Sequence, residues 1–139
     1  MSFREKSAWI ALATYGGVFG AYFFFLWQSW DDRYGQPLSI GLLAAAVLGL
    51  VVVATTLTII AAVLNPKEAN AAADERETLI DLKAERIASY TLSAGVVCLI
   101  GALLLGWNPY LVANLLLASM VIAELVKATA QILYFRAGA

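Results

Sequence analysis

The stretch from Asn65 to Arg86 is the one long segment of this chain that hydrocarbon cannot hold, and it separates two pairs of apolar runs. It carries ten of the nineteen charged side chains: Lys67, Glu68, Asp74, Glu75, Arg76, Glu77, Asp81, Lys83, Glu85 and Arg86. Each flanking run supplies the roughly 20 helical residues that cross a bilayer core of about 30 Å. None shows the strict alternation of a barrel strand. The expected architecture is therefore all-α: a four-transmembrane-helix bundle of two antiparallel hairpins. Its helices run over about 7–30, 38–64, 74–107 and 110–135 of one membrane domain, 1–139, and the third extends into the cytoplasm.

Composition agrees with this and removes several functions. Hydrophobic residues make up 62% of the chain and charged residues 14%, against about half and a quarter in soluble domains. The lipid bilayer is the expected partner. Nucleic acid is not, because the net charge is −1 and no concentrated basic surface exists. Histidine is absent and Cys98 is the single cysteine. His-ligated haem, Cys/His zinc sites and an intrachain disulfide are thereby excluded, and no cofactor is expected. Ser7 to Trp30 holds 24 residues without a formal charge, longer than the roughly 7–15 of a cleaved signal core. It reads as a retained helix.

Basic residues set the expected orientation. Arg4 and Lys6 precede the first helix, four lie in the central interval, Arg136 follows the fourth helix, and only Arg33 lies in an outer loop. Both termini and the interval should face the cytoplasm. Trp27, Trp30, Tyr34, Trp107 and Tyr110 then mark the outer interface, and Trp9, Tyr134 and Phe135 the inner one. Small residues spaced by four, Gly16/Gly20, Gly17/Ala21, Gly41/Ala45/Gly49 and Ala102/Gly106, could bring helices close. They serve either the internal bundle, the use expected here, or a homodimer.

Asn65-Pro66 should end the second helix. From Asp74 onward the chain is strongly helix-forming, with Asp74 at or near the N-cap and Glu75 and Glu77 in the first turn, favourable to the helix dipole. Asp74, Glu77, Asp81 and Glu85 fall at offsets of three, four and four, which makes one acidic stripe. Adjacent like charges cost a few tenths of a kcal/mol per pair. The stripe admits three readings: a solvated face, a docking surface for a basic segment or a second copy, or a divalent-cation site, for which one straight helix is a poor cage. The docking helix would comprise Asp74, Glu75, Arg76, Glu77, Asp81, Glu85 and Arg86.

Inside the fourth span, Glu124 and Lys127 are costly to insert. At 1.5 Å per residue, Glu124 lies about 9 Å inside a span ending near Ala130, while Lys127 can snorkel. Hydroxyls at similar depth are Thr14, Thr55, Thr58 and Ser93, with Ser89 on the same face as Ser93 and Arg86. A hairpin turn near Asn108 sets residues whose numbers add to about 216 level with each other. Glu124 then sits opposite Leu92 and Ser93. The expectation is an intramembrane polar layer in which Glu124 hydrogen-bonds Ser93 or a threonine and pairs with Lys127. That layer is either interhelical glue, the proton- or cation-binding site of a small transporter, or part of a lipid or quinone pocket.

Two patches, Phe3-Arg4-Glu5-Lys6-Ser7-Ala8-Trp9-Ile10 and Asp74-Glu75-Arg76-Glu77 continuing through Arg86-Ile87-Ala88-Ser89-Tyr90, resemble a family of small prokaryotic four-helix membrane proteins of unknown function. The resemblance implies a bacterial or archaeal inner membrane and association with a regulatory system. It brings no activity or ligand. No nucleophile with a base, metal cluster or phosphate-binding glycine loop is present, so an enzyme is not expected. The expected function is a non-enzymatic anchoring, sensing or regulatory protein docking a partner or a second copy through the cytoplasmic helix. The alternative is a small proton- or cation-coupled transporter working through Glu124.

Overall fold

A computed structural model describes residues 3–29, 36–64, 66–69 and 74–137. Trp30, Arg33, Tyr34 and Asn65 lie outside them. The described residues form four long helices and one isolated turn: α1 (Phe3–Ser29), α2 (Gln36–Leu64), the turn α3 (Pro66–Ala69), α4 (Glu75–Leu104) and α5 (Pro109–Ala137). All four long helices have the length and apolarity to cross a membrane. The chain is an all-α, four-helix membrane protein.

The helix ends follow local chemistry. α1 starts four residues earlier than its uncharged run, because Arg4, Glu5 and Lys6 are compatible with helix and Glu5 suits the positive end of the dipole. Asp74 stands at the N-cap of α4 with extended backbone (φ −67°, ψ 150°), but its carboxylate caps nothing. Its carbonyl instead accepts the Thr78 N–H at 3.0 Å and the Thr78 hydroxyl at 3.2 Å. α4 ends at Leu104, three residues short of the expected Trp107. Gly106 takes φ 86°, its N–H bonds the Leu103 carbonyl and the Trp107 N–H bonds that of Ala102, each at 3.1 Å. This is a Schellman ending, which glycine permits without a steric penalty. Asn108 then caps α5, its Oδ1 accepting the Tyr110 N–H at 2.9 Å, and Pro109 fills the first helical position, where no N–H is needed.

The helices pack as a row, α2 on α1, α1 on α5 and α5 on α4, leaving α2 and α4 as the two edges. The α4–α5 register follows the expected hairpin: Asp81 meets Gln131, Glu85 meets Lys127, Gly95 meets Ser119 and Lys83 meets Tyr134. The start of α1, the start of α4 and the end of α5 therefore share one end of the molecule.

Two kinds of packing join the row. Phe19, Tyr22 and Leu26 of α1 bury themselves against Ala46 of α2 and Val121 of α5, with Tyr15, Phe23, Leu43 and Leu117 around them. Between α4 and α5 the seam is built from smaller residues. Ile80, Ala84 and Ala88 of α4 are buried, and a Cβ on Gly95 would lie 2.8 Å from that of Ser119. Such close backbone approach holds helices together where lipid supplies no hydrophobic force.

The expected small-residue tracks do not supply that approach. A Cβ at Gly17, Gly20, Gly41, Gly49 or Gly101 would meet nothing within 4 Å, and one at Gly16 only Leu125 at 3.9 Å. Larger apolar side chains, above all the α1 aromatics, fill the interfaces those tracks were expected to form.

Candidate functional site

The charged residues of α4 gather at the end shared by α1 and α5. Glu77, Asp81 and Glu85 occupy successive turns beside the buried line Ile80, Ala84, Ala88, so the packing that seats α4 on α5 also turns these carboxylates toward neighbouring helices. Arg4 of α1 reaches two of them: its Nε lies 3.5 Å from Glu77 Oε2, and its guanidinium bonds Asp81. The Gln131 amide donates to Asp81 Oδ1 at 3.0 Å. Lys127 closes an ion pair with Glu85. At the rim, Arg136 Nε stands 4.0 Å from Glu5 Oε1 and its guanidinium 5.4 Å from the Trp9 ring centre, while Lys83 Nζ lies 5.8 Å from that of Tyr134.

This corrects the expected use of the stripe. Glu77 and Asp81 are half-covered, with Arg4 and the Gln131 amide on them, while Glu85 stays exposed and pairs with Lys127, so α1 and α5 already supply these acids with partners. Asp81 and Glu85 each stand one residue beyond the buried line, about 100° around the helix, and Glu77 lies one turn before Asp81. Asp74, Glu75, Arg76 and Arg86 remain exposed.

The polar layer is also rearranged. Lys127 turns outward to Glu85 rather than pairing with Glu124. Glu124 is half-buried near Tyr15 and Lys127, close enough for its charge to act on both. Among the described residues it accepts no hydrogen bond, so the bond expected from Ser93 or a threonine is not formed. The hydroxyls have local reasons for this. Thr14 is buried and donates to the Ile10 carbonyl at 2.7 Å, and Thr58 to that of Ala54 at 2.7 Å, the usual one-turn bond of a helical threonine. Thr55 and Thr58 are exposed on α2. Ser89 and Ser93 are exposed on α4, because Ala88 and Gly95 take the side against α5.

A second polar contact, toward the other end, was not anticipated. The Tyr22 hydroxyl donates to Asn114 Oδ1 at 2.7 Å, and Asn114 Nδ2 donates to the Tyr110 carbonyl at 2.8 Å, joining α1 to α5. A shallow crevice between α1, α2 and α5 has this pair on its wall, beside Ile40, Leu43 and Leu117. The signal was present in the sequence: an amide inside an apolar run needs a partner. Arg4 was legible as an orientation signal, and its reach to α4 was not.

No protein-family model, curated protein or solved structure matches the chain.

Proposed function

We propose that the chain is a non-enzymatic membrane protein of a prokaryotic cytoplasmic membrane, with its termini and central interval inside, that fixes the projecting end of α4 and presents its outer face to a protein partner or a second copy. One observation carries this reading. Glu77, Asp81 and Glu85 of α4 are held by α1 and α5, yet Leu79 and Leu82 on its opposite side stay 56% and 61% exposed. Counting about 20 residues back from Leu105 brings the hydrocarbon boundary near Arg86, so these leucines stand about 6 to 10 Å beyond it. Exposed leucines on a rigid helix outside the hydrocarbon are what a docking face requires. The inner orientation rests on the basic residues at this end. The two patches resembling the four-helix family also meet here, through Arg4 and Glu77.

The test is cross-linking and co-purification from native membranes with the Leu79→Glu/Leu82→Glu chain. Loss of the captured partner at unchanged membrane level supports the reading; an unchanged set of partners removes it.

A second reading keeps Glu124 as the proton- or cation-binding group of a small transporter. Lys127 forms its ion pair with Glu85, which leaves Glu124 without a direct ion pair among the described residues, just inside the span at the level of Ala88, and this favours it. Under that reading Glu124→Gln abolishes a proton-linked flux in vesicles; under the docking reading the variant keeps its partner.

A further inference from the structure

We infer that the outward face of α4 at the hydrocarbon boundary holds an anionic phospholipid, its phosphate on Arg86 and Ser89. α4 is an edge helix whose packing is with α5, α1 reaching it through Arg4 at Glu77 and Asp81, so lipid reaches its opposite side directly. On that side Arg86, Ser89 and Ser93 follow one another at offsets of three and four, and all three are exposed. Arg86 makes no ion pair or hydrogen bond among the described residues. The acids that could neutralise it face elsewhere: Glu85 is taken by Lys127, and Glu77 and Asp81 by Arg4. The positive charge left on this face is therefore open to an anion from outside the chain.

Depth and shape decide which anion. Arg86 lies near the estimated boundary, the level of lipid phosphates, where a guanidinium fork fits two phosphate oxygens and the Ser89 hydroxyl, one turn deeper, donates to a third. Tyr90, also exposed, is the kind of aromatic that borders such headgroups. Below it Val97 and Ile100 continue the same face as exposed apolar surface, along which an acyl chain can lie. A free phosphate would use only the upper part of this site. The assignment requires Arg86 at a bilayer surface and holds whichever leaflet that is, so it stands independently of the docking reading.

The test is native mass spectrometry of the full chain released from micelles with equal phosphatidylglycerol and phosphatidylcholine of identical acyl chains. The native chain should retain the anionic lipid with about fivefold preference, the factor expected for one basic residue at an anionic surface. Arg86→Gln should bring retention to parity, Arg86→Lys should fall between, and Lys67→Gln, a cation away from this face, should change nothing. Parity in the native chain, or full preference in Arg86→Gln, overturns the assignment. So does displacement of the bound lipid by inorganic phosphate, which would mean that the headgroup alone is recognised. Efficient cross-linking of two copies through Ser89→Cys, with no lipid retained, would give the face to a second copy instead.

Discussion

α2 and α4 are the two edges of the row and differ by one residue in length, yet they are held by different means. α4 meets α5 along a seam so close that Gly95 has no room for a methyl group, and three of its carboxylates are tied to α1 and α5. α2 is the most apolar of the four spans, and its spanning window buries no residue fully. It rests on α1 through Ala46, with Leu43 and Leu50 beside it. In water the greasier helix would be the better held. In lipid apolar surface is no incentive to associate, so the helix with small residues and charges is gripped and the helix rich in leucine and valine is merely adjacent.

The contrast breaks most readily at the seam. Gly95→Leu should drive α4 from α5 and cost about 3 kcal/mol or prevent folding, read by denaturant unfolding in micelles. On the other edge, where a Cβ at Gly49 meets nothing within 4 Å, Gly49→Ala should not destabilise and should gain up to about 1 kcal/mol. An equal effect at both positions would erase the distinction between the edges.

Next comes the ionic tie. Arg4→Gln and Asp81→Asn should each lose about 1 kcal/mol, the side chains being roughly one-third exposed and partly screened. A double-mutant cycle should return a coupling of at least about 0.5 kcal/mol. Additive losses would mean that the two residues stabilise the protein separately. The α1–α5 contact at the opposite end is smaller again. Tyr22→Phe removes one intramembrane hydrogen bond and should cost about 0.6 kcal/mol, with helicity by circular dichroism unchanged. Smallest of all should be Thr58→Ala on α2, within about 0.3 kcal/mol, because that hydroxyl serves only its own helix.

The number of spans and the register of the second hairpin were legible, since a bilayer sets the length of a crossing and the turn at Asn108 sets the level of each residue beyond it. The start of α4 at Asp74 was legible from composition. Its end was misread by three residues because Gly106 was counted as a packing glycine, whereas its positive φ makes it a terminator. The direction of the acidic stripe was not legible either. Asp81 and Glu85 lie one position beyond Ile80 and Ala84, with Glu77 one turn before Asp81, and only knowledge of which line seats on α5 decides whether the acids meet water or a cation. Glu124 shows the same limit. Its depth followed from counting, but the partner of Lys127 depended on where α4 places Glu85.

The bond between Arg4 and Asp81 spans 77 residues of sequence. During synthesis the arginine emerges with the first hairpin, before its carboxylate exists, and until then water and counter-ions hold its charge. Arrival of α4 supplies the carboxylate and ties the earlier pair of helices to the later one. The tie can therefore close only after the third span has been made, which couples the two hairpins late in the building of the chain.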